Sequence, residues 1–294
     1  MLAYLSLASA MMIVGAYVGF SKLLVAVFPV FLLAWLRFGI ATVLMATWLK
    51  KAPDSPPLDT RTRYLVFLES FLGNFLFSIC MLFGMLHATA ISAGVIMAGI
   101  PAAVALLSRL FLNERLSLRM ITAIALGVAG IAVLAVSRGG NDDGATSLLG
   151  TLLLVGAVFC EASYVVIGKR LTGQLSPKRI SALINLWGLL LVTPFGIYAA
   201  WSFNFATVSA GIWGGLVLYA LAASMWTVWL WMTGLKTVPA AKAGMFTVFL
   251  PITSALVGVA FLGEAFTLAH ALAFACAMAG VVLATWPTTA TASN

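Results

Sequence analysis

Apolar residues occupy this chain in long blocks separated by brief polar interruptions. Each block approaches the roughly 20 residues that a helix needs to cross the hydrocarbon core of a bilayer. Ten such blocks fall near residues 3–20, 28–49, 64–86, 91–111, 118–137, 148–168, 180–200, 210–234, 240–262 and 267–286. They are numbered here as spans 1 to 10. The longest polar connections, Lys50–Arg63 and Arg138–Ser147, leave no room for a sizeable soluble domain. The pattern therefore predicts an all-α integral membrane protein with ten transmembrane helices.

The blocks also repeat. A shift of 150 positions places Ala93-Gly94 on Ala243-Gly244, Pro101 on Pro251, Glu114 on Glu264, Ser117 on Thr267 and Gly130 on Gly280. A shift of 147 places Tyr17 on Tyr164 and Lys22 on Lys169. Two units are expected, residues 1–140 and 141–287, followed by a flexible tail at 288–294. Five spans per unit is an odd number, so one unit lies inverted in the membrane relative to the other. Inverted repeats place a central cavity between the halves, a common plan among secondary transporters.

Composition sharpens this picture. The chain is 63% hydrophobic and 8% charged, with mean hydropathy +1.12, which excludes an ordinary soluble protein. A net charge of +8 could suit nucleic acid, but its distribution argues for topology instead. With the N-terminus inside, thirteen of the sixteen Lys and Arg fall on the inner side and two, Lys22 and Arg138, on the outer, with Arg37 within span 2. That bias predicts a multi-pass membrane protein with both termini cytoplasmic, lipid around it and no nucleic-acid partner. Span 1 has no basic segment before it and is expected to be retained. Cys80, Cys160 and Cys276 lie within apolar blocks and lack metal-ligand spacing. No cofactor, metal site or catalytic group is expected. The oligomeric state is not legible, and a monomer is compatible with everything above.

The repeated unit carries a proline in its fourth helix. Its turn into the fifth helix reads Asn113-Glu114-Arg115-Leu116-Ser117 in the first half and Gly263-Glu264-Ala265-Phe266-Thr267 in the second. This unit resembles the EamA unit, whose tandem form characterises the drug/metabolite transporter superfamily. The run Trp35-Leu36-Arg37-Phe38 is similar to that family as well, and the resemblance covers essentially the whole chain. It implies a bacterial inner-membrane exporter of amino acids and related metabolites, closest to the branch that exports aromatic and other amino acids.

Several residues are candidates for the chemistry. Glu114 and Glu264 each stand three residues before a Ser or Thr at a helix start; they read either as tight interfacial turns or as gate or coupling acids. Pro101 and Pro251 stand deep in spans 4 and 9 and are expected to bend them as hinges. Met97 and Thr247 share their stripes and are candidates to line the cavity. Ala123, Gly127 and Gly130 of span 5, with Ala273, Ala277 and Gly280 of span 10, read as close-packing scaffold. Polar stripes through Asn74 and Ser78 on span 3, and Ser224 on span 8 beside Trp226, are candidates for solute contact, as are the repeat mates Tyr17 and Tyr164. Trp229 and Trp231 suit either the cavity or an interfacial belt. Arg37, within a span, could hold a solute carboxylate or bond backbone carbonyls. Glu161 is the stronger coupling acid, while Glu69 is expected nearer the interface. His87 and His270 fall at span ends.

Such a cavity suits a small zwitterion, and the function expected is a secondary transporter exporting amino acids, aromatic ones included, or related small metabolites by alternating access. The alternatives are a channel or facilitator for small polar solutes, which calls for a continuous polar lining, and an intramembrane enzyme. The enzyme has little raw material: two His, eight acids and neither H-E-x-x-H nor G-x-S-x-G. No phosphate-binding loop for ATP is present either.

Overall fold

The computed structural model describes residues 2–50, 58–112, 118–136, 146–238, 243, 246–247 and 249–285. Glu114 and Trp286 lie outside the described residues. Among the described residues, ten apolar helices make up the bundle. They are α1 (Leu2–Val25), α2 (Val30–Leu44), α3 (Thr60–Leu86), α4 in two segments (Ala90–Met97 and Ile100–Leu112) and α5 (Leu118–Val136). The second half supplies α6 (Leu148–Leu171), α7 (Pro177–Trp201), α8 (Ala210–Thr237), α9 (Phe249–Leu262) and α10 (Leu268–Thr285). Of these, α1, α3, α6, α7 and α8 are long and apolar enough to cross a bilayer; the other five are shorter.

Helix starts follow the polar punctuation of the sequence. Asp59, Thr89, Ser147, Ser176 and Ser209 each accept the backbone N–H three residues on, closing the starts of α3, α4, α6, α7 and α8. Such caps satisfy donors that the first helical turn leaves unpaired.

Contacts between helix ends sort the bundle into two faces. At one end, the Ser147 N–H donates to the His87 carbonyl at 2.8 Å, and the Phe28 ring packs against Phe203 and Trp213. At the other, Thr62 Oγ1 donates to Gln174 Oε1, and Lys169 Nζ donates to the carbonyls of Leu235 and Val238 at 2.7 and 3.2 Å. Lys178 stands over the Trp48 ring there. The second face, which gathers Lys50, Arg61, Lys169 and Lys178, is called the basic end below. Successive helices run alternately between the two faces, so five per half turns the second half over, as the repeat requires.

The pair α5 and α10 shows the internal two-fold axis most directly. A β-carbon added at Gly130 would stand 3.0 Å from the Ala273 carbonyl oxygen; one added at Gly280 would stand 3.0 Å from that of Ala123. Gly130 and Gly280 are repeat mates, as are Ala123 and Ala273, so the contact is reciprocal. Small residues here let two backbones approach closely, the main source of helix association in lipid. The scaffold reading of these two spans agrees with this geometry. On the other side of the bundle, α1 packs along α9, with Gly15 against the Leu250 carbonyl and Thr253 and Gly19 against Val257.

Two departures from regular helix were not expected. The α3 backbone widens into a π-helical turn at Phe71–Leu76, and α8 does the same at Leu221–Trp226. The two turns are 150 positions apart and therefore repeat mates. The proline expectation also changes. Helix α4 breaks at Ala98-Gly99, and Pro101 lies in the first turn of its second segment. Pro251 lies within α9. A first helical turn has no use for the missing proline N–H, so Pro101 starts a helical segment rather than bending a continuous one.

Replacing Gly280 with Val should lower stability by about 1–3 kcal/mol, because the added carbons meet the α5 backbone. Thermal unfolding in detergent should show a clear drop, and an unchanged midpoint would refute the close packing of α5 on α10.

Candidate functional site

A small, partly enclosed pocket lies in the middle of the bundle between the two halves. Its walls are built from repeat-related stripes. On α3, Gly73 and Phe77 face it; on α8, Ala223 and Thr227, their mates at a shift of 150, do the same. On α1, Val14 and Tyr17 face it; on α6, Glu161 and Tyr164, their mates at a shift of 147, do the same. The frame is thus close to two-fold, while its chemistry is not. Glu161 stands where the other half has Val14. One turn before the π turns, Glu69 stands where the other half has Tyr219. The charged groups that line the pocket are Glu161 and Arg37.

Arg37 is 2% exposed and lines the pocket. Its Nη2 donates to Ser78 Oγ at 2.5 Å, and Ser78 Oγ in turn donates to the Asn74 carbonyl. The guanidinium lies 4.3 Å from the centroid of the Phe38 ring and 5.8 Å from that of Tyr219. Tyr219 meets Tyr17 edge-on at 5.9 Å. Among the described residues no carboxylate lies within ion-pair distance of Arg37, and its Nε has no hydrogen-bond partner. Thr227 Oγ1 and Trp231 Nε1 also lack partners. A buried cation without a counter-ion is costly, and unpaired donors beside it leave a surface suited to an anionic group.

Most other buried polar groups serve the backbone. Ser70 Oγ and Asn74 Nδ2 both donate to the Ile184 carbonyl, at 2.7 and 3.0 Å. Asn185 Nδ2 donates to the carbonyls of Ser181 and Ser224, at 2.8 and 2.9 Å. The middle of α7 is thereby pinned to both π turns. A π turn displaces backbone groups from the regular ladder, and these side chains provide partners that lipid cannot.

The candidate residues consequently divide. Tyr17, Arg37, Asn74, Glu161 and Tyr164 come together around the pocket. Ser78 and Ser224 are fully buried, Ser78 beneath Arg37 and Ser224 in the α8 π turn. Met97 and Thr247 are buried but are not among the residues lining this pocket. Trp226 is 37% exposed and faces away. Ala223, Thr227 and Trp231, at four-residue spacing, present the inner face of α8 instead. Trp231, 2% exposed, is the pocket's tryptophan. Glu69 is completely buried within the bundle.

Gly73 has a specific role. A β-carbon there would stand 2.6 Å from Tyr164 Cδ2, so the missing side chain lets the Tyr164 ring lie flat against α3. Ala223, its mate, is the next smallest residue.

At the end opposite the basic face, Glu264 ties three helices together. Its Oε1 accepts from Lys22 Nζ at 3.1 Å and from the Ala90 N–H at 2.8 Å. Its Oε2 accepts from the Ile91 N–H at 3.0 Å. A carboxylate at a helix start meets unpaired donors and the positive end of the helix dipole. The chain reaches that position through Gly263, whose φ of +66° is the left-handed conformation that glycine adopts freely, and the Glu264 N–H returns to the Gly258 carbonyl. Nearby, Ser254 Oγ donates to the Ala90 carbonyl at 2.7 Å, and Gly94 packs on Pro251. The turn is therefore a clasp from the second half onto α1 and α4 of the first. Replacing Glu264 with Ala should cost about 1–2 kcal/mol of stability, as for loss of a strong N-terminal cap. Lys22→Ala, which leaves the cap in place, should cost less. Chemical or thermal unfolding of the two variants in detergent checks the order, and equal losses would contradict it.

The chain matches the EamA-like transporter family twice, over residues 1–136 and 148–286. It is 34% identical to the uncharacterized transporter YetK of Bacillus subtilis (strain 168), over 95% of this chain and 85% of that protein. It is 22% identical to the uncharacterized transporter YyaM of the same organism, over 87% and 85% of the two chains. Among solved structures, one crystal structure superposes with a TM-score of 0.65 over 96% of each chain at 20% identity, a likeness of fold. With two matching units over nearly its full length, a bundle of ten apolar helices and a polar pocket between its halves, the chain belongs to the EamA-like transporter family.

Proposed function

We propose that the protein exports amino acids, aromatic ones included, or related small metabolites across the inner (plasma) membrane by alternating access between its inverted halves. The observation that carries this reading is that one pocket holds Arg37, a buried cation with no carboxylate at ion-pair distance among the described residues, and Glu161. A zwitterion supplies the carboxylate that the guanidinium lacks and the ammonium that suits Glu161. Tyr17, Tyr164 and Trp231 offer faces for an aromatic or aliphatic side chain, which would make the site tolerant of its third substituent. Export follows the family resemblance, and the basic end would face the cytoplasm together with both termini.

In this mechanism the halves rock about the pocket. The α5–α10 contact on the internal axis holds the halves together, while the Glu264 clasp, one of the few ionic contacts between them, opens and closes the opposite end. The break at Ala98-Gly99 before Pro101 would let α4 change direction without disrupting regular helix, with Pro251 as the repeat mate in α9. Such repeats have two near-equivalent arrangements, the requirement for alternating access.

The test is a competition panel in proteoliposomes, with labelled L-phenylalanine as the reporter and the other amino acids as competitors. Saturable flux inhibited by free amino acids, but not by their amides, is the expected result. Arg37→Gln should raise the apparent KM by about tenfold or more, the loss of one charge-assisted hydrogen bond. Failure of any amino acid to compete would remove the substrate assignment, and unsaturable conductance would indicate a channel.

A further inference from the structure

Two hydrogen-bond donors in the pocket take no part in holding a carboxylate at Arg37 or an ammonium at Glu161. Trp231 and Thr227 are both buried and both line the pocket. Neither Trp231 Nε1 nor Thr227 Oγ1 has a hydrogen-bond partner among the described residues. An indole N–H can only donate, so its burial calls for an acceptor. A helical threonine often finds one in the carbonyl four residues before it. Thr193, Thr233 and Thr253 do so here, donating to Leu189, Trp229 and Phe249 at 2.6, 2.6 and 2.8 Å. Thr227 directly follows the π turn of α8 and makes no such bond.

The two donors act from one place. Four residues apart, they share the inner face of α8, and the Trp231 side chain leans back over the turn that holds Thr227, as helical side chains do. Their mates at a shift of 150 are Phe77 and Met81, which offer no donor, so only one half of the frame carries this feature. Arg37 stands at some distance along the pocket. Its guanidinium lies 5.8 Å from the centroid of the Tyr219 ring, and Thr227 follows Tyr219 by eight residues, about 12 Å of helix toward the basic end.

We propose that Trp231 and Thr227 form a second anchoring point, which selects solutes whose far end carries a hydrogen-bond acceptor: a hydroxyl or amide oxygen at the tip of a long side chain. The inference rests on the amino-acid reading above and narrows it. A solute held at Arg37 by its carboxylate extends its side chain along α8 toward the two donors. An oxygen at the tip has two lone pairs, enough for the indole N–H and the threonine hydroxyl together. An apolar tip leaves both donors buried and unpaired, which costs more than an ordinary hydrogen bond contributes. A site built to bond a hydroxyl rejects the analogue that lacks it for this reason. The faces of Tyr17 and Tyr164 make no such demand, since they meet the body of the side chain rather than its end.

The test measures saturable entry of four labelled amino acids into proteoliposomes, each alone, as two matched pairs: L-tyrosine with L-phenylalanine, and L-glutamine with L-norleucine. In at least one pair, kcat/KM should favour the member with the oxygen tip by about tenfold. Combining Trp231→Phe with Thr227→Val should make the two members equal, whereas Thr227→Ser, which keeps the hydroxyl, should retain the preference. Thermal unfolding in detergent shows whether the variants are folded; if the double variant is not, Thr227→Val alone should lose part of the preference. Equal kcat/KM within both pairs in the wild type would overturn the inference and leave the amino-acid reading intact, as would a preference that survives the folded double variant. If none of the four is carried, the inference falls, and the wider competition panel decides the amino-acid reading by itself.

Discussion

Lipid offers no partner to a backbone N–H or carbonyl, so every interruption of a helix inside a membrane must be repaired by the protein itself. This chain interrupts its helices at matching depths in both halves, and a group of its buried polar side chains carries out the repairs. Ser78 bonds the Asn74 carbonyl in one π turn, and Asn185 bonds the Ser224 carbonyl in the other. Ser70 and Asn74 hold the Ile184 carbonyl between them. Ser254 takes the carbonyl at the start of α4, and Glu264 takes two of its N–H groups. Once these obligations are removed, three ionisable side chains are left with no structural duty that explains them: Arg37, Glu161 and Glu69. Function is best sought in what the fold does not use.

The same subtraction explains how a nearly symmetric frame acquires a direction. The stripes that build the pocket are repeat mates: Tyr17 with Tyr164, Gly73 with Ala223, Phe77 with Thr227. A strictly symmetric pocket would present the same chemistry from either side. The charges break that equivalence, because Glu161 and Glu69 belong to positions that hold Val14 and Tyr219 in the opposite half. Two near-equivalent packings are what a frame of inverted repeats provides, and unequal charges are what allow a solute to distinguish them.

Much of the architecture was legible in the residues. Block lengths anticipated ten helices, the repeat with its odd number of spans anticipated the inverted halves, and small-residue spacing marked Gly130 and Gly280 for close packing. Tyr17, Arg37, Asn74, Glu161 and Tyr164 were singled out before their meeting point was visible. The failures have separate causes. Trp226 was chosen for standing beside Ser224 in the chain, whereas Trp231, seven residues on and so on the same helical face, is the one that reaches the pocket. Burial of Glu69 is hidden for a different reason: its position along its own helix says nothing of Gly168 and Met232, which enclose it from distant parts of the chain. Pro101 illustrates a third limit, since spacing alone does not tell a bend from a fresh helical start.

The account turns on two homologous halves that cross the membrane in opposite senses, so it is tested most directly by locating one pair of repeat mates. Ser117 and Thr267, changed singly to cysteine in a background lacking the native cysteines, can be labelled with an impermeant maleimide in intact cells and in inverted vesicles. Labelling of position 267 from outside the cell and position 117 only from the cytoplasmic side is the predicted result. Labelling of both from one side would contradict the inversion and, with it, the pocket between the halves.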